Sequence, residues 1–148
     1  MINDVLARFS TAQSLATTVA TLTSEGSYDQ GVAKDAGPGE PNRLWLSMTT
    51  ALVGASATME AQLVTSASGT ALSSPKVLWS SGVQLVGFWT LGLTFVIPVP
   101  TSPVGGGLRY LGMLYIIAGA TTSAGAVTAT LVKDGPEQRF YTNGFTVS

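Results

Sequence analysis

The stretch Arg43-Leu-Trp-Leu-Ser-Met-Thr49 places Leu44, Leu46 and Met48 on one side and Arg43, Trp45, Ser47 and Thr49 on the other. Side chains along a strand point alternately to opposite faces, so this pattern predicts a strand with one apolar and one mostly polar face. The same period recurs in Met59, Ala61 and Leu63 against Thr58, Glu60 and Gln62, and in Val127, Ala129 and Leu131 against Thr128 and Thr130. Leu93, Phe95, Ile97 and Val99 share a face opposite Thr94, Val96 and Pro98, and Pro98 marks a strand end or an edge. Residues 109–118 are apolar on both faces, which predicts a strand covered on both sides.

Turn chemistry separates these runs. Asp35-Ala-Gly-Pro-Gly-Glu-Pro41 cannot continue a helix or a central strand, because two prolines lack donors and two glycines invite positive φ. Similar punctuation comes at residues 66–69, 73–75, 81–82, 101–107, 119–125 and 134–136. The resulting expectation is strands near 15–23, 44–53, 57–65, 76–80, 93–99, 109–118 and 126–133, with a further one at 140–147. A single helical turn is expected around residues 3–9. Seven or eight short strands at this spacing read as an all-β chain, an antiparallel sandwich or barrel. One domain over 1–148 is expected, with an N-terminal arm at 1–14 and a C-terminal arm at 134–148. A chain of this length buries a sufficient core without a staple or metal.

Composition narrows the function. Charged residues make up 10% of the chain, against ~25% in typical soluble domains. Between Ala61 and Val132 the only charges are Lys76 and Arg109. So poor a surface implies cover by other protein, since surface charge keeps molecules apart. A net charge of −1 with scattered basic residues gives no footprint for nucleic acid. The most lipophilic run, residues 85–99, is too short to span a bilayer and is interrupted by Gly87, Gly92 and Pro98, so a core strand with a preceding turn is expected.

The chain has no histidine and no cysteine. A Ser-His-Asp triad is therefore impossible, disulfides are excluded, and nothing around Lys34, Lys76 or Lys133 marks a Ser-Lys pair. Gly105-Gly106-Gly107 lacks the Lys-Ser/Thr of a phosphate loop. Asp35 and Glu40 lack the ligand density of a calcium loop and suit a turn. No enzyme activity, metal, cofactor or small-molecule substrate is expected. Of the three tryptophans, Trp45 lies on the polar face of its strand and is expected outside the core, while Trp89 sits in a turn-like run and Trp79 is ambiguous.

Three stretches together resemble a known group: Phe9-Ser-Thr-Ala-Gln13, then Asp35 to Pro41 leading into Leu44–Met48, then Arg109-Tyr-Leu-Gly-Met-Leu-Tyr115 followed by Ala118-Gly119 and Ala124-Gly-Ala-Val-Thr-Ala-Thr-Leu-Val132. Their order and spacing resemble the small jelly-roll capsid cement proteins of tailed bacteriophages, of the kind found in Bordetella phage. Gly112 stands where that group often carries a charged or polar residue. The resemblance implies a jelly-roll β-sandwich of about eight strands, made in the bacterial host cytoplasm and bound to the outer capsid surface of the virion. It implies the major capsid protein and the chain itself as partners, with a dimer ahead of a trimer. Candidate interface residues are Arg43, Trp45, Arg109, Tyr115, Arg139, Phe140 and Tyr141. The competing expectation is a carbohydrate-binding β-sandwich module that stacks sugars on Trp45, Trp79 or Tyr115.

Overall fold

A computed structural model describes residues 8–30, 42–99 and 108–133. Ten strands are present among them: β1 (Arg8–Ser14), β2 (Ala20–Thr23), β3 (Tyr28–Asp29), β4 (Asn42–Val53), β5 (Thr58–Ser66), β6 (Lys76–Ser80), β7 (Gln84–Leu85), β8 (Thr94–Pro98), β9 (Tyr110–Ala118) and β10 (Ala124–Lys133). One sheet runs β1-β10-β4-β8 and the other β2-β9-β5-β6, and every pairing is antiparallel. β3 continues the line of β2 along β9, and β7 continues that of β6 along β5. Taken as eight lines of strand, the orders become 1-8-3-6 and 2-7-4-5. That is the double Greek key of a jelly roll.

The two sheets bury the faces that period-two patterning marks. Leu44, Leu46, Met48, Val127, Ala129 and Leu131 meet Met59, Ala61, Leu63, Met113, Tyr115 and Ile117 in one core. Full burial of a Leu, Val or Met side chain contributes about 1.5–3 kcal/mol, so this layer dominates the stability. An aromatic group closes one margin of the sandwich. Trp79 on edge strand β6 lies 5.8 Å from Phe95 on edge strand β8, and Trp89 lies 5.9 Å from the same ring. Pro98 ends β8, an edge strand.

Central strand β9 is covered on both sides between Leu111 and Tyr115. The second cover is a small apolar group of Val64, Leu72 and Leu114 on the outer face of its sheet. Gly112 sits beneath Leu72, where an added Cβ would come within 2.4 Å of Leu72 Cδ1. A larger residue at 112 would displace that cover.

The N-terminal region departs from expectation. Of the strand expected at 15–23 only β2, Ala20–Thr23, forms, residues 15–19 being a connection from β1, and Arg8 and Phe9 belong to β1 rather than to a helical turn. Residues 8–14 are thus an integral strand of a sheet and not an arm. The physical reason is irregular pairing: the register on β10 shifts between Arg8 and Ser10 and again between Ser10 and Gln13, with Ala12 at φ 48°. A bulge puts successive residues on one face, so Phe9 and Ser10 are both buried and no alternation is visible. The expectations for residues 3–7, 35–41, 134–139 and 140–147 lie outside the described residues.

Candidate interaction surfaces

The first candidate surface is the outer face of the sheet containing β4. Trp45 is flanked there by Thr130 on β10 and Val96 on β8, and Arg43 by Val132 and Pro98. Arg43 and Trp45 are half-buried, whereas Thr130 and Val132 are each 1% exposed. The patch is therefore mostly covered.

Arg109 precedes β9 at one end of the sandwich. Its Nε and Nη2 donate to the two Asp29 carboxylate oxygens at 2.8 and 2.9 Å, and its guanidinium lies 5.1 Å from the Tyr110 ring centroid. The hydrogen bond and charge of Asp29 raise the Arg109 pKa above its already high ordinary value. Both side chains remain about half exposed, so Arg109 reaches solvent as part of an ion pair already made.

Tyr115 is a correction. It is fully buried, and its hydroxyl lies 2.9 Å from Ser10 Oγ. Ser10 Oγ donates to Gln13 Oε1 at 2.7 Å, so the Tyr115 hydroxyl is the donor to Ser10. Gln13 in turn donates from Nε2 to the Thr23 carbonyl at 2.8 Å. This chain of bonds ties β9, β1 and β2 together. Burial pushes the Tyr115 hydroxyl well above the ordinary phenol range, with Ser10 opposing in part. The residue is structural and offers no ring to a partner or a sugar. Trp79 packs into the aromatic group with Phe95, and Trp89 is fully buried with its Nε1–H donating to the Met59 carbonyl at 3.3 Å. The stacking platform of the carbohydrate reading loses Tyr115 entirely, and Trp79 is half-buried. Arg139, Phe140 and Tyr141 lie outside the described residues.

The structure brings forward a surface that strand patterning does not single out. β1, β4, β6 and β9 finish at the same end of the sandwich at which β2, β5, β8 and β10 start. The connections there are residues 15–19, 54–57, 81–93 and 119–123, and none contains a charged residue. Six large apolar side chains are exposed at this end: Val19 58%, Val53 50%, Val83 65%, Leu85 67%, Phe88 40% and Leu91 69%. Leu85, Phe88 and Leu91 belong to the part of the lipophilic run expected as a turn before the core strand, and within 85–91 Trp89 alone turns fully inward. The signal available in the sequence was the absence of charge in four separate loops, which only topology gathers to one end.

The opposite end holds most of the charge. Arg8 begins β1, Asp29 ends β3, Arg43 lies at the start of β4, Lys76 begins β6, Arg109 precedes β9 and Lys133 ends β10. Glu25 and Glu60 are the exceptions among the described residues: Glu25 lies beside β1, its carboxylate accepting the Thr11 N–H at 3.2 Å, and Glu60, within β5, accepts hydrogen bonds from Ser80 and Gln62 on the outer face of its sheet.

With this geometry in place, comparison with known families is informative. The profile of the Bbp16 family matches residues 9–131, from the first buried side chain of β1 to the core residue Leu131 of β10. The chain belongs to the Bbp16 family. The family name resembles that of a Bordetella phage protein, in agreement with the phage resemblance of the sequence motifs. A search of the curated proteins finds no match. Within the matched range, Phe9, Ser10 and Gln13 build the β1 anchor, and Gly112 and Tyr115 fit β9 between its two covers.

Proposed function

We propose that this Bbp16 chain is a capsid cement protein, a non-enzymatic subunit that binds the outer surface of the assembled phage shell and stabilises contacts between capsomers of the major capsid protein. The observation that carries this reading is the family match across the whole jelly roll. Its poverty of charge supports it, since interfaces bury apolar centres and neutral polar groups more cheaply than charges. A protein that binds the assembled lattice and not the free subunit stabilises the lattice by mass action, and many copies multiply a modest contact.

The test is co-sedimentation of purified protein with mature-size capsids, followed by their thermal disruption. Retention on the capsid and a raised disruption temperature are expected. Specific glycan binding without affinity for shells would sink the proposal.

A further inference from the structure

We propose that residues 67–75, the connection from β5 to β6, form a releasable strap that swings off the outer face of its sheet while the sandwich stays folded. The inference is independent of the capsid reading and is tested on the isolated chain.

The strap is held by little. Leu72 is its only buried residue, whereas Ala67, Thr70, Ala71, Ser73, Ser74 and Pro75 are exposed. Its hydrogen bonds run through seryl hydroxyls. Ser66 Oγ donates to the Ser73 carbonyl at 2.8 Å and accepts the Ser68 N–H at 3.1 Å, and Ser27 Oγ donates to the Gly69 carbonyl at 2.9 Å. Among the described residues, no backbone-to-backbone bond joins the strap to either sheet. A segment with one buried side chain and so few bonds opens at far lower cost than a strand paired on both sides.

The strap is also closed under strain. Leu72 and Ser74 sit at φ 44° and 46°, in the left-handed region that a side chain disfavours. Two of the four described non-glycine residues with positive φ thus fall within one short connection. Release lets both return to ordinary backbone, so closure depends on what Leu72 gains in exchange.

What Leu72 gains is a seat of its own. Its side chain covers Gly112 and packs with Val64 and Leu114 in an apolar group separate from the core between the sheets. That seat can empty without disturbing the main core, and β5 stays paired with β9 from Thr58 opposite Ala118 to Ser66 opposite Tyr110. Opening bares a floor of Val64, Gly112 and Leu114 beside Val77, which lies opposite Val64 and is already exposed. The fold therefore keeps an apolar surface out of water behind a cover that its strand pairing does not need.

The chain has no cysteine, so a single introduced thiol reports on one place. Val64→Cys puts that thiol on the floor of the strap and Val127→Cys puts it in the main core, and both positions are 0% exposed. Labelling of each full-length variant with N-ethylmaleimide measures how often its site opens, and thermal unfolding checks that each is folded. Val64→Cys should react at least roughly 100-fold faster than Val127→Cys. Its rate should barely change below about 1 M urea, because a local opening exposes little new surface. The three atoms nearest to a Cβ on Gly112 all belong to Leu72, so Gly112→Ala displaces the strap and spares the sheet. It should raise Val64→Cys labelling at least about ten-fold and leave Val127→Cys labelling as it was, and Leu72→Ala should do the same by removing the plug. Equal rates and equal urea dependence at the two cysteines would mean that the strap opens only with the whole fold, which would overturn the proposal. So would Gly112→Ala and Leu72→Ala variants that speed both sites alike, or neither.

Discussion

Tyr115 makes one hydroxyl responsible for joining three strands. With its ring at 0% exposure and its proton on Ser10 Oγ, replacement by Phe removes a buried bond without opening a cavity. Tyr115→Phe should cost about 1 kcal/mol of unfolding free energy, checked by denaturant titration. The same hydroxyl sets an alkaline limit. Its folded-state pKa is raised, so its contribution is whole below the ordinary phenol value near ~10 and is lost as pH climbs beyond it. Melting temperature should fall above about pH 10 in the wild type, less steeply in Tyr115→Phe. Glu60 has the opposite sign. Hydrogen bonds from Ser80 and then Gln62 depress its pKa, so its stabilisation is present above the usual carboxylate range and lost as pH falls through the lowered value. Melting curves from about pH 6 to 2 should show the wild type losing its advantage over Glu60→Gln.

At the scale of elements, legibility followed regularity. β4, β5 and β10 pair with long neighbours in mostly even register, so their faces alternate and each strand could be placed from hydrophobicity. β1 could not, because two register shifts turn Phe9 and Ser10 to the same side and leave Thr11 and Ala12 in solvent. The burial of β9 on both faces was readable, but its outer cover was not, since Leu72 reaches it from a turn at φ 44°. Tyr115, expected at an interface or as a stacking ring, was misplaced for a related reason: only the third dimension supplies Ser10 as the partner of a buried hydroxyl. Arg43 and Trp45 fell on the predicted outer face, yet the residues beside them are closed off. The aromatic margin is likewise non-local, uniting β6 and β8. Phe95→Ala should destabilise the protein by about 3 kcal/mol, because it strips the ring against which Trp79 and Trp89 both rest. Tryptophan fluorescence during unfolding would shift to the red at lower denaturant than in the wild type.

At the scale of the molecule, scarcity of charge becomes a matter of position. The sequence shows that charge is rare between residues 61 and 132. The jelly roll shows that, Glu25 and Glu60 apart, the charges of the described residues gather toward one end and leave the loops of the other neutral, because antiparallel connections alternate between the two ends.

That connectivity also has a practical side. β1 and β10 are neighbours, with Arg8 opposite Thr130, so the first and last described strands enter and leave the sandwich side by side, away from the uncharged loops. The protein is thus suited to genetic fusion: a passenger domain attached before β1 or after β10 would be displayed from one side, leaving the opposite side accessible. A circular permutant that links those two strands and opens the chain in a loop would retain every strand pairing.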